Sequence, residues 1–164
     1  MTLTGLMPSL RASIPDQLDP DHWPDHTVVT TRDILVAAVS LTELAHLLGT
    51  PFVHVSDEHR SSNGSSHTPD GHCSVLVTTV VGRRVLPNGR VDVAVELPPR
   101  CVGLDFAAAH LIGRISVEPA GTTQLHTTGD QLRHPSALPE DATVGDLVAI
   151  PWPGAHALKE IRPL

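Results

Sequence analysis

Apolar positions in the C-terminal part of the chain alternate with polar ones, which is the pattern of half-buried β-strands. Residues 90–97 alternate most strictly and place three valines on one face: Val91, Val93 and Val95. Residues 73–81 form a second apolar run, and Asn88-Gly89 between the two is a strong signal for a hairpin turn. The pattern predicts an antiparallel hairpin.

Other strands are predicted by shorter runs. Residues 27–31, 34–39 and 52–55 read as short strands, and residues 107–117 read as a strand bulged at Gly113. A short helix over residues 106–112 is the competing interpretation. A last apolar strand covers residues 147–150, and we expect it to be ended by Pro151, Pro153 and Gly154.

One segment, residues 40–48, carries a helical period. Ser40 is placed as an N-cap with Glu43 three residues later, which is a capping box. One apolar face is formed by Leu41, Leu44, Leu47 and Leu48. Gly49 and Pro51 end the helix.

These elements predict one mainly-β domain, a small barrel or sandwich, spanning residues 1–164. We expect residues 1–27 to form an extended arm held by Trp23, with a mobile tail as the alternative, and residues 28–58 to contain strands and the helix. Residues 60–72, rich in Ser, Gly and Pro, form a linker, and residues 73–164 form the β core.

Charge and composition exclude several classes of partner. The net charge is −7, and the 11 Lys and Arg residues form no run, so neither nucleic acid nor an anionic membrane is an expected partner. No apolar run approaches the ~20 residues of a membrane span. With no signal-like N-terminus and only two cysteines, Cys73 and Cys101, a cytoplasmic protein is expected.

Several motifs resemble those of diaminopimelate and ornithine-type decarboxylases, the fold-type III enzymes that use pyridoxal phosphate. VSLTELAHLLGTPFVHVSDEHR is similar to the segment before their (β/α)8 barrel. The C-terminal motifs follow in the family's order: His126-Thr127-Thr128-Gly129-Asp130, Leu138-Pro139, Gly145 to Ile150 and Gly154-Ala155-His156. The barrel itself has no counterpart. The resemblance implies a β domain like the family's C-terminal domain, made from both chain ends and joined by the linker.

The resemblance also implies that the original chemistry is lost. In the family, a barrel lysine forms the Schiff base with the cofactor, whereas the single lysine here, Lys159, lies in a terminal segment expected to be exposed. We therefore expect no pyridoxal phosphate and no other cofactor. In the family, a cysteine and an acidic residue of this turn reach the active site of the partner subunit, and His126 and Thr127 stand in their places. His156 replaces a tyrosine that contacts cofactor.

Histidine exchanges protons near neutral pH, so His126, Asp130 and His156 are the candidate acid–base residues. Arg100, Thr127 and Thr128 are the candidate ligand-binding residues. The alternative is that each histidine is a surface substitution or makes a structural hydrogen bond.

Histidines and acids are dense between His54 and Cys73, but their spacing matches no metal-binding pattern, and no metal is expected.

Two functions follow from the sequence. The first is a non-catalytic binding or regulatory partner that forms a homodimer, or a heterodimer with a full-length decarboxylase-like chain. The second is a cofactor-independent biosynthetic enzyme, a cyclase, isomerase or lyase of secondary metabolism, that takes a small-molecule ligand into a β-barrel pocket. The joint loss of the cysteine, acid and tyrosine favours the first.

Overall fold

The computed structural model describes residues 13–56, 72–97 and 101–161. The strands are β1 (Thr27–Val29), β2 (Ile34–Val36), β3 (Val39–Ser40), β4 (Phe52–Ser56), β5 (Cys73–Val85), β6 (Val91–Val95), β7 (His110–Ile112), β8 (Thr123–Thr127), β9 (His134–Ser136) and β10 (Leu147–Pro153). The helices are α1 (Leu41–Leu48) and α2 (Leu158–Ile161), with a 3-10 turn at Phe106–Ala108. The protein is mainly β, as predicted.

A small sheet contains β1, β2 and β3 in that order. The larger sheet has seven strands, in the order β7-β10-β5-β6-β8-β9, with β4 added beside β5. This sheet curls into a half-barrel. Its long strand β5 pairs with β10, β4 and β6, and the register of its pairing with β6 shifts between Val80 and Gly82.

The central strands are buried on both faces. Leu76 and Val80 of β5 enter one core together with Val91, Val93 and Val95 of β6. The alternate residues of β5 enter a second core, which is shared with the N-terminal segments: Trp23, Ile34, Val36, Leu41, Ala45, Phe52, Val75, Val77, Ile112 and Ala149. The described N-terminal segments therefore share this second core with β5, and Trp23 is buried in it. Residues 1–12 of the predicted arm lie outside the described residues.

The predicted helix caps are confirmed. The Ser40 hydroxyl accepts a hydrogen bond from the Glu43 amide at 3.0 Å and donates one to Asp33. Gly49 adopts φ 72° after the last turn, a conformation that glycine tolerates. The predicted hairpin is also present, with the Leu86 amide donating to the Arg90 carbonyl at 2.8 Å.

Several strand boundaries differ from the predictions. The strand predicted over residues 34–39 is divided into β2 and β3, which pair with each other in antiparallel fashion. β10 continues to Pro153 instead of ending at Ile150, because β7 pairs with β10 only as far as Ala149. Beyond that point one edge of β10 needs no amide donors, so proline is tolerated. For residues 106–112 the sequence left a strand and a short helix open. The structure has a 3-10 turn at the start of this segment and the strand β7 at its end.

The predicted linker, apart from His72, lies outside the described residues. Within the described part, no helix is both long and apolar enough to span a membrane.

Candidate functional site

The end of β8 and the turn after it carry four of the six residues singled out by sequence, His126, Thr127, Thr128 and Asp130. The turn begins at Thr128. It is tied to β6 and the residues after it, because the Thr128 amide donates to the Val95 carbonyl at 3.0 Å and its hydroxyl donates to the Leu97 carbonyl at 3.2 Å. Gly129 has φ 89°, which permits the tight reversal. The Asp130 side chain then accepts from the Leu132 amide at 2.9 Å. Thr128 therefore fastens the turn through its side chain.

A cavity of about 200 Å³ lies beside this turn, and we call it the β8 cavity. Its lining combines apolar and polar side chains: Cys101, Val102, Gly103, Leu104, Phe106, Thr127, Asp130, Leu132 and His134. Two of these residues, Thr127 and Asp130, were predicted site residues.

Thr127 is the unusual member of the lining. It is only 7% exposed, and its hydroxyl has no hydrogen-bond partner among the described residues. A buried hydroxyl normally finds a partner, because an unpaired one retains its desolvation cost. Thr127 therefore offers a polar group to whatever occupies the cavity.

The sequence did not single out His134, and it noted Cys101 only for its pairing. His134 stacks on Phe106 with ring centroids 4.5 Å apart. Burial and the charge of Glu160 raise the pKa of the Cys101 thiol, which favours the protonated form. Neither residue belongs to a local motif. They reach the cavity because the chain from 101 to 106 folds back against β9.

His126 lies on the opposite face of β8 from Thr127, because side chains alternate along a strand. Its Nδ1 atom is 3.1 Å from Oδ1 of Asp92, whose side chain is fully buried. The second carboxylate oxygen of Asp92 accepts from the Nε atoms of Arg84, at 2.7 Å, and Arg133, at 3.1 Å. We call these four residues the Asp92 cluster.

Burial alone would raise the pKa of Asp92, but hydrogen bonds from Arg84 and Arg133 and the nearby charges outweigh it. The net effect is a lowered pKa, so Asp92 is ionised near neutral pH.

His156 belongs to a third set of contacts. Its ring stacks on Trp152 with centroids 3.7 Å apart, and its Nδ1 atom is 2.9 Å from Oε2 of Glu160. Its amide donates to the Ser74 hydroxyl at 3.1 Å, and that hydroxyl donates to the Gly154 carbonyl at 2.7 Å. The Gly154-Ala155-His156 motif is thus fastened to β5.

The three candidate acid–base residues therefore occupy separate contacts. Within the described ranges, no hydrogen bond joins any two of His126, Asp130 and His156. Arg100 lies outside the described residues, and Lys159 is exposed as expected.

The described residues contain no group of three or more His, Cys, Asp and Glu side chains that would hold a metal ion. His54, His72 and Cys73 lie within that part of the chain, whereas Asp57, Glu58, His59, His67 and Asp70 lie outside it. Cys73 and Cys101 are not joined in a disulfide.

Two further cavities lie near the arm and α1. One, of about 180 Å³, lies under residues 14–19 and includes His110 and Arg114, and the other, of about 320 Å³, lies between α1 and residues 145–147. Arg114 is saturated by Asp141 and Asp146, at 3.1 and 2.7 Å, so it fixes the loop before β10.

No family model matches this chain, and a search of curated proteins finds no matching relative.

Proposed function

We propose that this chain is a non-catalytic binding domain, similar to the C-terminal β domain of fold-type III decarboxylases, that pairs with a full-length decarboxylase-type chain. The observation that carries the proposal is the exposed apolar rim of the β8 cavity, at the turn the resemblance places against a partner subunit. The proposal assigns the turn to binding instead of proton transfer.

The architecture is consistent with a decarboxylase domain that has lost its barrel. β4 pairs with β5 in antiparallel register, with Ser56 opposite Cys73. The N-terminal strand thus ends beside the start of the C-terminal core. In the family, the barrel is inserted between these two segments, so a short connection is enough once the barrel is gone.

The histidine contacts favour a role without catalysis. His126 is bonded to a buried carboxylate, and His156 is stacked and bonded to Glu160. A cyclase, isomerase or lyase that used them with Asp130 would need the three around one substrate. Their separate contacts support a structural use of each histidine.

The rim provides apolar surface for a partner. Val102 is 81% exposed and Leu132 is 61% exposed, and both line the β8 cavity. Exposed aliphatic side chains grouped around a concave site are typical of protein interfaces. The rim flanks Asp130, which is retained from the family's turn.

Light scattering during gel filtration tests the proposal. The purified chain is mixed with purified diaminopimelate decarboxylase from the same organism. We expect a complex whose mass is the sum of the two species, and we expect Val102→Asp to abolish it because a charge enters the apolar rim. Val117→Asp is the matched control, since Val117 is also exposed, at 77%, but does not line the cavity.

Separate elution of the two proteins at micromolar concentration would contradict the proposal. A self-associated species that excludes the decarboxylase would contradict it in favour of a homodimer. Loss of the complex in both valine variants would show that the effect is not specific to the rim, and the rim would not be assigned to the interface.

A further inference from the structure

The Asp92 cluster holds more positive charge than its carboxylate neutralises. Two guanidinium groups face one carboxylate, so the cluster carries a net charge of about +1 with His126 neutral and about +2 with His126 protonated. The whole chain has a net charge of −7. The excess is therefore a local feature of this face of the sheet.

The guanidinium groups are held with their outer edges open. Arg84 and Arg133 each reach Asp92 through Nε, and their terminal nitrogens have no hydrogen-bond partner among residues 13–56, 72–97 and 101–161. The two side chains are 57% and 38% exposed, so these nitrogens are open to a ligand. Among the described residues, His126 is hydrogen-bonded only through Nδ1, which leaves Nε2 for a ligand.

The elements of the sheet place these groups side by side. Arg84 and Asp92 are directly opposite each other in β5 and β6, and β8 brings His126 beside them. Both arginines donate to the same carboxylate oxygen, Oδ2. Two guanidinium groups that donate to the same oxygen repel each other. A single arginine would be enough to form an ion pair with Asp92 that serves only the structure. A bound anion between their open edges removes that repulsion.

We propose that Arg84, Arg133 and His126 bind a small dianionic oxyanion of the phosphate-monoester or dicarboxylate class. The planar guanidinium fork matches the geometry of both groups and binds them with paired hydrogen bonds. The buried carboxylate of Asp92 positions the forks and does not touch the ligand. This inference is independent of the proposed partner.

Arg83 provides a matched control for the site. It is adjacent to Arg84 in β5, so its side chain points to the opposite face of the strand. Its Nη2 atom donates to the Glu140 carbonyl at 3.0 Å, away from Asp92. Arg83→Gln therefore removes the same charge from the chain without changing the proposed site.

The test is a titration followed by backbone amide NMR, at constant ionic strength maintained with chloride. Inorganic phosphate is one probe and succinate is the other, so the two sources of the anion are distinguished. We expect saturable shifts confined to β5, β6 and β8 around the cluster with at least one probe. Arg84→Gln and Arg133→Lys should each weaken binding about tenfold, because each loses a charge-assisted fork. Arg83→Gln should bind as the wild type does.

Arg133→Lys retains the charge beside Asp92, so it tests the fork even where Arg84→Gln reduces folding. Three results would each overturn the proposal. The first is that neither probe binds, and the second is that chloride alone gives the same shifts. The third is that Arg83→Gln weakens binding as much as Arg133→Lys does.

Discussion

Thr123 and Thr127 lie on the same strand and the same face, yet only one of their hydroxyls is paired. Thr123 donates to the carbonyls of Ser136 and Leu138, at 3.3 and 3.2 Å, whereas Thr127 has no partner among the described residues. The difference separates a structural hydroxyl from one that faces the β8 cavity. It also makes the two threonines a controlled comparison.

We predict that Thr127→Val stabilises the protein by about 1 kcal/mol, because it removes an unpaired buried hydroxyl at constant shape. Thr123→Val should destabilise it by about 1 kcal/mol, because two carbonyls lose their donor. Denaturant unfolding without added ligand measures both. Destabilisation by Thr127→Val equal to that by Thr123→Val would show that the Thr127 hydroxyl is paired.

A second prediction at the residue scale concerns how the stability contributed by Asp92 depends on pH. Its pKa is lowered in the folded protein, so its stabilisation is present above the unfolded-state pKa and is lost as pH falls through the folded value. Asp92→Asn should cost about 2 kcal/mol near pH 7, because the arginines lose a charged acceptor. That difference should shrink below about pH 4.

Unfolding free energies measured from about pH 7 down to pH 3 test this dependence. Asp21→Asn is the control, because Asp21 is exposed and its side chain makes no hydrogen bond to any arginine in the described part of the chain. A cost of Asp92→Asn that stays constant over the whole range would contradict the assignment.

Single residues also show where sequence reasoning stops. Thr127 and Asp130 were found because they belong to a local motif, and both line the cavity. His134 begins β9, and the segment from Cys101 to Phe106 folds against it, a contact that no local pattern encodes. In the sequence, Asp92 occupies a polar position of an alternating strand, which predicts exposure. It is buried because side chains of the neighbouring strands cover it.

At the scale of elements, cap and turn signals were reliable, whereas the predicted apolar face of α1 was only partly correct. Leu41 is buried, but Leu47 and Leu48 are exposed. The α1 caps and the Asn88-Gly89 turn depend on residues close in sequence, and both were predicted correctly. The length of β10 depends on where its neighbour β7 ends. The position of Pro151 in the sequence therefore could not show that β10 continues beyond it.

We predict that Ser40→Ala destabilises the protein by about 1–2 kcal/mol, because the first turn of α1 loses its acceptor and Asp33 loses a donor. Leu47→Ala in the same helix is the control. Leu47 is 79% exposed, so its truncation should change stability by less than about 0.5 kcal/mol. Urea unfolding measures both variants. Equal losses of unfolding free energy in the two would show that the Ser40 cap does not stabilise the helix.

At the scale of the whole molecule, the two chain ends share one core. Trp23, Leu41 and Phe52 pack in the same cluster as Val75 and Val77 of β5. The segment from Trp23 to Phe52 therefore packs in one core with β5.

We predict that the protein stays intact when its chain is cut in the linker. A protease recognition sequence is inserted after Gly64 and cleaved, giving fragments 1–64 and 65–164 with the insert divided between them. The fragments should coelute in gel filtration and separate only in denaturant, because β4 pairing and the shared core hold them. Separation in native buffer would contradict a single domain.

The central proposal is that the rim of the β8 cavity binds a decarboxylase-type partner. The most direct test is a calorimetric titration of diaminopimelate decarboxylase from the same organism with two variants of matched exposure. Leu132 is 61% exposed and lines the cavity, whereas Val144 is 60% exposed and does not. We predict that Val144→Asp binds like the wild type and that Leu132→Asp weakens binding at least tenfold, by about 1.4 kcal/mol. Equal affinity of the two variants, or no binding by the wild type, would contradict the account.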